Sequence, residues 1–149
     1  MKAVIQRVNG AKLEVDGKLI SQIEKGFVIF LGVGVGDNES DAEKLATKIL
    51  KLRVFEDENQ KMNLSIKDVG GEILLVSQFT LFADCSHGNR PNFLNAEKPE
   101  KANNLYQFMQ KCLKNSDICV KMGVFGADMQ IYQHNDGPVT ILLDSKEMK

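Results

Sequence analysis

Apolar positions along the 149 residues follow two rhythms. One is continuous. Ile73-Leu74-Leu75-Val76 opens the stretch Gly71–Phe82 (GEILLVSQFTLF), and a second unbroken run lies within Gly26–Gly36 (GFVIFLGVGVG). Such runs predict strands covered on both faces. The other rhythm is helical. Ala42, Leu45, Ala46, Ile49 and Leu52 form one stripe, opened by a capping box at Ser40-x-x-Glu43. Ala102, Leu105, Tyr106, Met109 and Leu113 form another, with Pro99 suited to the first turn. Looser alternation predicts a strand at Lys2–Val8, an Asn9-Gly10 turn, a return strand at Ala11–Val15, and an Asp16-Gly17 turn into Lys18–Ile23. Three closing strands are expected at Ile118–Gly123, Met129–His134 and Val139–Leu143, the last two joined by a turn at Asn135–Pro138. About eight strands and two helices place the chain in the α+β class. The expected form is a mainly antiparallel, barrel-like sheet with two packed helices.

The length fits a single domain, residues 1–149, able to bury a core without covalent staples. No apolar run reaches a membrane span, and MKAVIQRVNG lacks a signal-peptide core, so a cytoplasmic protein with no membrane partner is expected. Cys85, Cys112 and Cys119 are odd in number and lack CxxC spacing, against a disulfide framework or structural zinc. Two histidines, His87 and His134, cannot build a three-histidine zinc site. No metal and no cofactor are therefore expected. A net charge of −1 supplies no general field for DNA or RNA, so any nucleic-acid contact is local. The glycines of Gly32–Gly36 lack the GK[ST] of a phosphate loop, and they predict close backbone packing instead.

Chemistry concentrates where the continuous run at 73–76 turns polar, at Ser77, Gln78, Phe79 and Thr80. Polar side chains at a buried strand end either cap the strand or form the wall of a site. In a continuing strand, Gln78 and Thr80 would share one face and Ser77 and Phe79 the other. No charged base lies nearby in sequence, and a threonine hydroxyl without one is a poor nucleophile. Asp84-Cys85-x-His87 does not match thiolate catalysis, which draws its partners from separate elements, and Ser77 has no GxSxG elbow around it. The loop 83–96 is long for a compact domain, as functional loops often are. Gly137-Pro138 is either an ordinary turn or a place where backbone approaches a ligand closely. Arg7 shares the face of Ala3 and Ile5; it either snorkels to solvent or serves an acceptor near a site.

SQFTLF (77–82), NDGPVT (135–140), RVFEDENQKMNLS (53–65), GNRPNF (88–93) and GVFGADM (123–129), taken together, resemble the D-aminoacyl-tRNA deacylases over the whole chain. That resemblance implies a homodimer with its active site at the subunit interface. The implied reaction is hydrolysis of the ester joining a D-amino acid, or glycine, to the tRNA 3′ end. By motif, Ser77, Gln78, Phe79 and Thr80 would form the pocket floor. Gly137 and a cis Pro138 would screen chirality, Phe125 and Met129 would line the pocket, and Arg7 would orient the screen. Either Thr80 or the ribose 2′-OH of the terminal adenosine would supply the nucleophilic help, and the absence of a base favours the ribose. Cys85-Ser86-His87 departs from the lysine-rich stretch expected before GNRPNF, and Asn92 stands where serine is commoner. Two other readings are a small-molecule esterase or amidase using Thr80, and a non-catalytic dimeric RNA-binding module.

Overall fold

In the computed structural model, which describes residues 1–149, the elements are β1 (Lys2–Val15), β2 (Lys18–Ile23), β3 (Gly26–Gly32), α1 (Glu39–Lys51), β4 (Phe55–Glu56), β5 (Met62–Leu64), β6 (Glu72–Ser77), α2 (Pro99–Lys114), β7 (Val120–Met122) and β8 (Gln130–Asp144). β1 organises the sheet. Its first half pairs antiparallel with β3 and its second half with β2, while β8 runs antiparallel along its other edge past both halves. Beyond β3 the pairing becomes parallel, through β6 to β7. The fold is thus α+β with a mainly antiparallel sheet, as expected, plus a short parallel segment. β2 and β7, the ends of the path β2-β1-β3-β6-β7, meet through side chains: Ser21 Oγ donates to Met122 O (2.6 Å) and Lys121 Nζ to Gln22 O (2.7 Å). These contacts curl the sheet almost into a barrel.

Both continuous apolar runs are covered on two faces, as the pattern predicts. Residues 73–76 are at most 1% exposed. Alternate residues serve two cores. Ile73 and Leu75 face the helices with Phe27, Ile29 and the α2 stripe; Leu74 and Val76 fill the barrel with Val8, Leu13, Ile23 and Val28. The α2 stripe is the predicted one, residue for residue.

Two predicted turns are absent. Asn9-Gly10 lies inside β1, and neither residue takes the positive φ that a two-residue hairpin turn requires. β8 pairs with β1 on both sides of this point, so the chain continues through it with a bulge at Asn9 in place of a reversal. Asp16 (φ 51°) and Gly17 (φ 75°) do form the tight turn. Asn135–Pro138 likewise fails to reverse the chain, and the two strands expected around it are one strand, β8. The two strands lost by these mergers are made up by the β4–β5 hairpin around Asp57–Gln60. The cap of α1 also sits earlier than expected: Asn38 Oδ1 accepts from Ser40 N and Asp41 Oδ2 from Asn38 N, both at 2.9 Å. Asp41 wins the role because it is buried and also takes the Ser145 hydroxyl (2.7 Å).

Candidate active site

β6 does not continue through the polar residues. It ends at Ser77, and Phe79–Phe82 coil into a 3₁₀ turn. The face-sharing expected of a continuing strand is therefore corrected in part: Gln78 stays beside Thr80 through a side-chain hydrogen bond, but Ser77, Gln78 and Phe79 all border one cavity. β3 makes room for it by glycine. A Cβ on Gly32 would lie 3.0 Å from Gln78 O and from Leu81 Cβ, and one on Gly34 would meet the Phe82 ring at 2.6 Å. The glycine run thus serves close packing, as read from sequence. Gln78 N donates to Leu31 O (2.8 Å) and fixes the start of the turn. Within it, Leu81 N reaches Gln78 O and Ala83 N reaches Thr80 O. The Phe79 and Thr80 N–H groups take no part in these bonds and head the turn.

A cavity of about 640 Å³ opens beside this strand end. Ser77, Gln78 and Phe79 form one wall, Phe125 and Met129 another, and Ala102 and Tyr106 of α2 a third. Phe93 and the segment Ala96–Pro99 close a fourth side. Phe93 packs edge-on against Phe79 (ring centroids 4.9 Å), although Phe79 remains 56% exposed. The Ala96–Pro99 wall is tied to the end of β3, with Val35 N on Asn95 O and Glu97 N on Val33 O, both at 3.0 Å. Twelve of the nineteen lining residues are hydrophobic, so the cavity is an apolar bowl with polar groups confined to a few points.

Tyr106 was legible in sequence only as core. It lies 1% exposed, its ring 6.0 Å from that of Phe125, and its hydroxyl donates to Leu75 O at 2.7 Å. Gly123 N donates to the same carbonyl at 3.1 Å. One acceptor on β6 thereby ties α2 to the segment carrying Phe125 and Met129. The available signal was a hydroxyl-bearing aromatic in a buried stripe, which needs an acceptor. Burial pushes the Tyr106 hydroxyl above its ordinary range. Glu97 is held below the usual carboxylate range by the Lys98 N–H, the Lys101 ammonium and the Gly36 N–H. Lys98 and Asp128, the other charged lining residues, are exposed. Thr80 is exposed, stands just outside the lining, and its Oγ1 accepts a short hydrogen bond from the Gln78 carboxamide.

Arg7, Gly137 and Pro138 lie elsewhere. In the β1–β8 ladder Gln6 pairs with Thr140 and Val8 with Asn135, so residues 136–139 stand opposite Arg7 alone. This four-residue bulge exposes Gly137 and Pro138, joined by a cis peptide bond. Arg7 does not snorkel: it is 5% exposed, and its guanidinium donates to Val54 O (2.6 Å) and Asp136 O (3.2 Å). Asp136 Oδ2 lies 3.3 Å from the same Nε. A buried guanidinium is tolerated only with such acceptors, so the bulge and the residue leading into β4 share one cation. Gly137 has φ 125°, and a Cβ there would sit 3.0 Å from Val139 N and 3.1 Å from Arg7 Nη2.

Residues 4–144 match the family model described as D-Tyr-tRNA(Tyr) deacylase. A protein of Thermosipho melanesiensis named D-aminoacyl-tRNA deacylase is 54% identical over 149 residues, covering 99% of each chain. One of the same name from Clostridioides difficile is 54% identical over 147 residues, again 99% of each. Among solved structures, a c-Myc DNA unwinding element binding protein is 44% identical with a TM-score of 0.89, covering 97% of this chain and 98% of that one. A probable eukaryotic D-amino acid tRNA deacylase shares the fold at a TM-score of 0.79 and 14% identity, covering 95% of this chain and 97% of that one.

Proposed function

The chain belongs to the D-Tyr-tRNA(Tyr) deacylase family, and from that premise we propose that it hydrolyses the ester joining a D-amino acid or glycine to the tRNA 3′ end, in a site completed by a second copy of the chain. One observation carries the reading. A single chain holds an open bowl walled by Ser77–Phe79 and a protruding Gly137–Pro138 that does not line it. In a two-fold dimer, each bulge reaches the partner's bowl and closes it.

In this reading Ser77, Gln78, Phe79 and Thr80 hold the aminoacyl ester, and the free N–H groups heading the turn receive the developing oxyanion. Phe125 and Met129 pack on the substrate. Gly137 and Pro138 form a wall of backbone. Such a wall cannot swing away by changing rotamer, and Gly137 has no Cβ of its own to fill the space. It blocks an L side chain, passes a D side chain, and passes glycine, which has none. Simple hydrophobic complementarity discriminates by only about 1–3 kcal/mol, too little to spare every L-aminoacyl-tRNA.

Help to the nucleophile comes from the substrate. The Thr80 oxygen is occupied by the Gln78 amide, Tyr106 donates to a backbone carbonyl, and Glu97 is engaged by its own donors. None of these groups is free to take the Thr80 proton. The ribose 2′-OH lies beside the ester in the substrate itself, which supports RNA-assisted hydrolysis over a threonine nucleophile. The reaction is carried out in the cytoplasm, by one domain per subunit.

Single-turnover rates on D-, L- and glycyl-tRNA test the proposal. D- and glycyl-tRNA are cleaved at least ~10³-fold faster than L-aminoacyl-tRNA, about 4 kcal/mol. Comparable cleavage of both enantiomers removes the screen. Turnover of free amino-acid esters without RNA assigns a small-molecule esterase, and tRNA binding without turnover a non-catalytic module.

A further inference from the structure

The bulge at 136–139 is held on both faces. Gln6 and Arg7 are neighbours in β1 and point to opposite sides of the strand. On the face away from Arg7, Gln133 Nε2 donates to Gln6 Oε1 and to Asn135 Oδ1, both at 2.9 Å. Gln6 Nε2 in turn donates to Thr140 Oγ1 at 3.4 Å. Gln133 precedes the bulge and Thr140 follows it, so the Gln6 carboxamide spans its mouth, joining the two ends through side chains alone.

We propose that Gln6 and Gln133 are positioning residues for Gly137–Pro138, an amide ladder that fixes how far and in which direction the bulge projects. The proposal rests on the reading of that dipeptide as the chiral screen. Its physical content is a division of labour. Arg7 bonds only the first residue of the bulge, Asp136, and anchors it inward to Val54 O. Four residues facing one leave the skipped length without regular partners on β1, free to pivot about that anchor. A tie across the open end removes the pivot. The orientations agree along the ladder: Gln6 offers its oxygen to Gln133 and its NH₂ to Thr140, and Gln133 uses both of its hydrogens, on Gln6 and Asn135. The Gln133–Gln6 bond at the centre of the ladder is partly buried, while the bonds to Thr140 and Asn135 are exposed, so the central bond is the one least open to competition from water.

A loosened wall admits what it excluded, so the readout is the ratio of D- to L-aminoacyl-tRNA cleavage rather than the rate itself. In Gln6→Met, which keeps length and removes the amide, L-cleavage rises and the D:L preference falls about three- to ten-fold, the size of one or two lost hydrogen bonds. Gln6→Glu retains an acceptor for the Gln133 amide and the Thr140 hydroxyl and restores most of the preference. Adding Gln133→Met to Gln6→Met changes little more, because the two share one ladder. Thr140→Val removes only the far hydroxyl and repeats the test should Gln6→Met fold poorly. A purely structural role lowers the melting temperature and both rates together, leaving the ratio unmoved, and that result overturns the proposal. Gly137→Ala is measured in parallel. If it alters the ratio while the ladder variants do not, the ladder is incidental and the screen stands; if neither does, the screen reading fails and takes the proposal with it.

Discussion

The bowl beside β6 and the bulge on β8 are built by opposite means. The bowl is made by packing: β3, β6, α2 and two loops converge, and its shape follows from apolar volume set around glycines at 32 and 34. The bulge contains little that packs. It is held by a guanidinium within and a carboxamide ladder outside, and it exposes backbone where the bowl exposes side chains. A packed concavity adapts to many side chains. A hydrogen-bonded length of backbone has one shape and suits rejection. On the proposed reading, selectivity and tolerance reside in different parts of the chain, governed by different forces.

The largest expected effect comes from separating the two regions onto different chains. Ser77→Leu fills the bowl and leaves the bulge native; Gly137→Leu burdens the bulge and leaves the bowl native. Each parent dimer is nearly inactive. After dissociation and random reassociation, half the dimers are mixed, and one of the two sites in each pairs a native bowl with a native bulge. Activity on D-aminoacyl-tRNA then recovers to about a quarter of wild type. A mixture no more active than its parents means that each chain carries its own complete site.

A smaller effect separates the roles of the groups beside the bowl. Thr80→Ala removes one hydrogen-bonding hydroxyl, and single-turnover cleavage drops about ten-fold or less, in line with 0.5–1.5 kcal/mol. Substrate ending in 2′-deoxyadenosine loses several powers of ten. The opposite ranking makes Thr80 the nucleophile, since removing a true nucleophile has the larger cost.

The packed region was far more legible in sequence than the bonded one. The run 73–76 and the α2 stripe are periodic signals of burial, and both fell where expected. Asn9-Gly10 and Asn135–Pro138 carry local turn chemistry, yet both lie within strands, because β1–β8 pairing on either side of each outweighs the local preference. The same cause hid the bulge: four residues against one is a property of register, invisible until the partner strand is known. Arg7 was recognisable as an oddity on an apolar face, but its acceptors are 47 and 129 residues away. Gln6 and Gln133 gave no signal, since polar residues at half-exposed strand positions are ordinary. The break at Ser77 was hidden too, because the glycines that accommodate the turn lie on β3.

Tyr106 offers the finest discrimination, because it belongs to the packed region while depending on one bond. Its ring fills the wall beside Phe125, and its hydroxyl meets Leu75 O, already bonded by Gly123 N. Tyr106→Phe keeps the ring and leaves the carbonyl one partner, so no buried acceptor is orphaned. The stability loss is then near the low end for a hydrogen bond, about 0.5–1 kcal/mol, read as a lower denaturant midpoint at constant slope. Because the hydroxyl links α2 to the Phe125–Met129 wall, that wall loosens and KM for D-aminoacyl-tRNA rises about two- to five-fold with little change in kcat. The D:L preference stays where it was, since the bulge is untouched. A shift in that preference from Tyr106→Phe would join the two regions into one mechanically coupled unit and end the separation of packing from rejection.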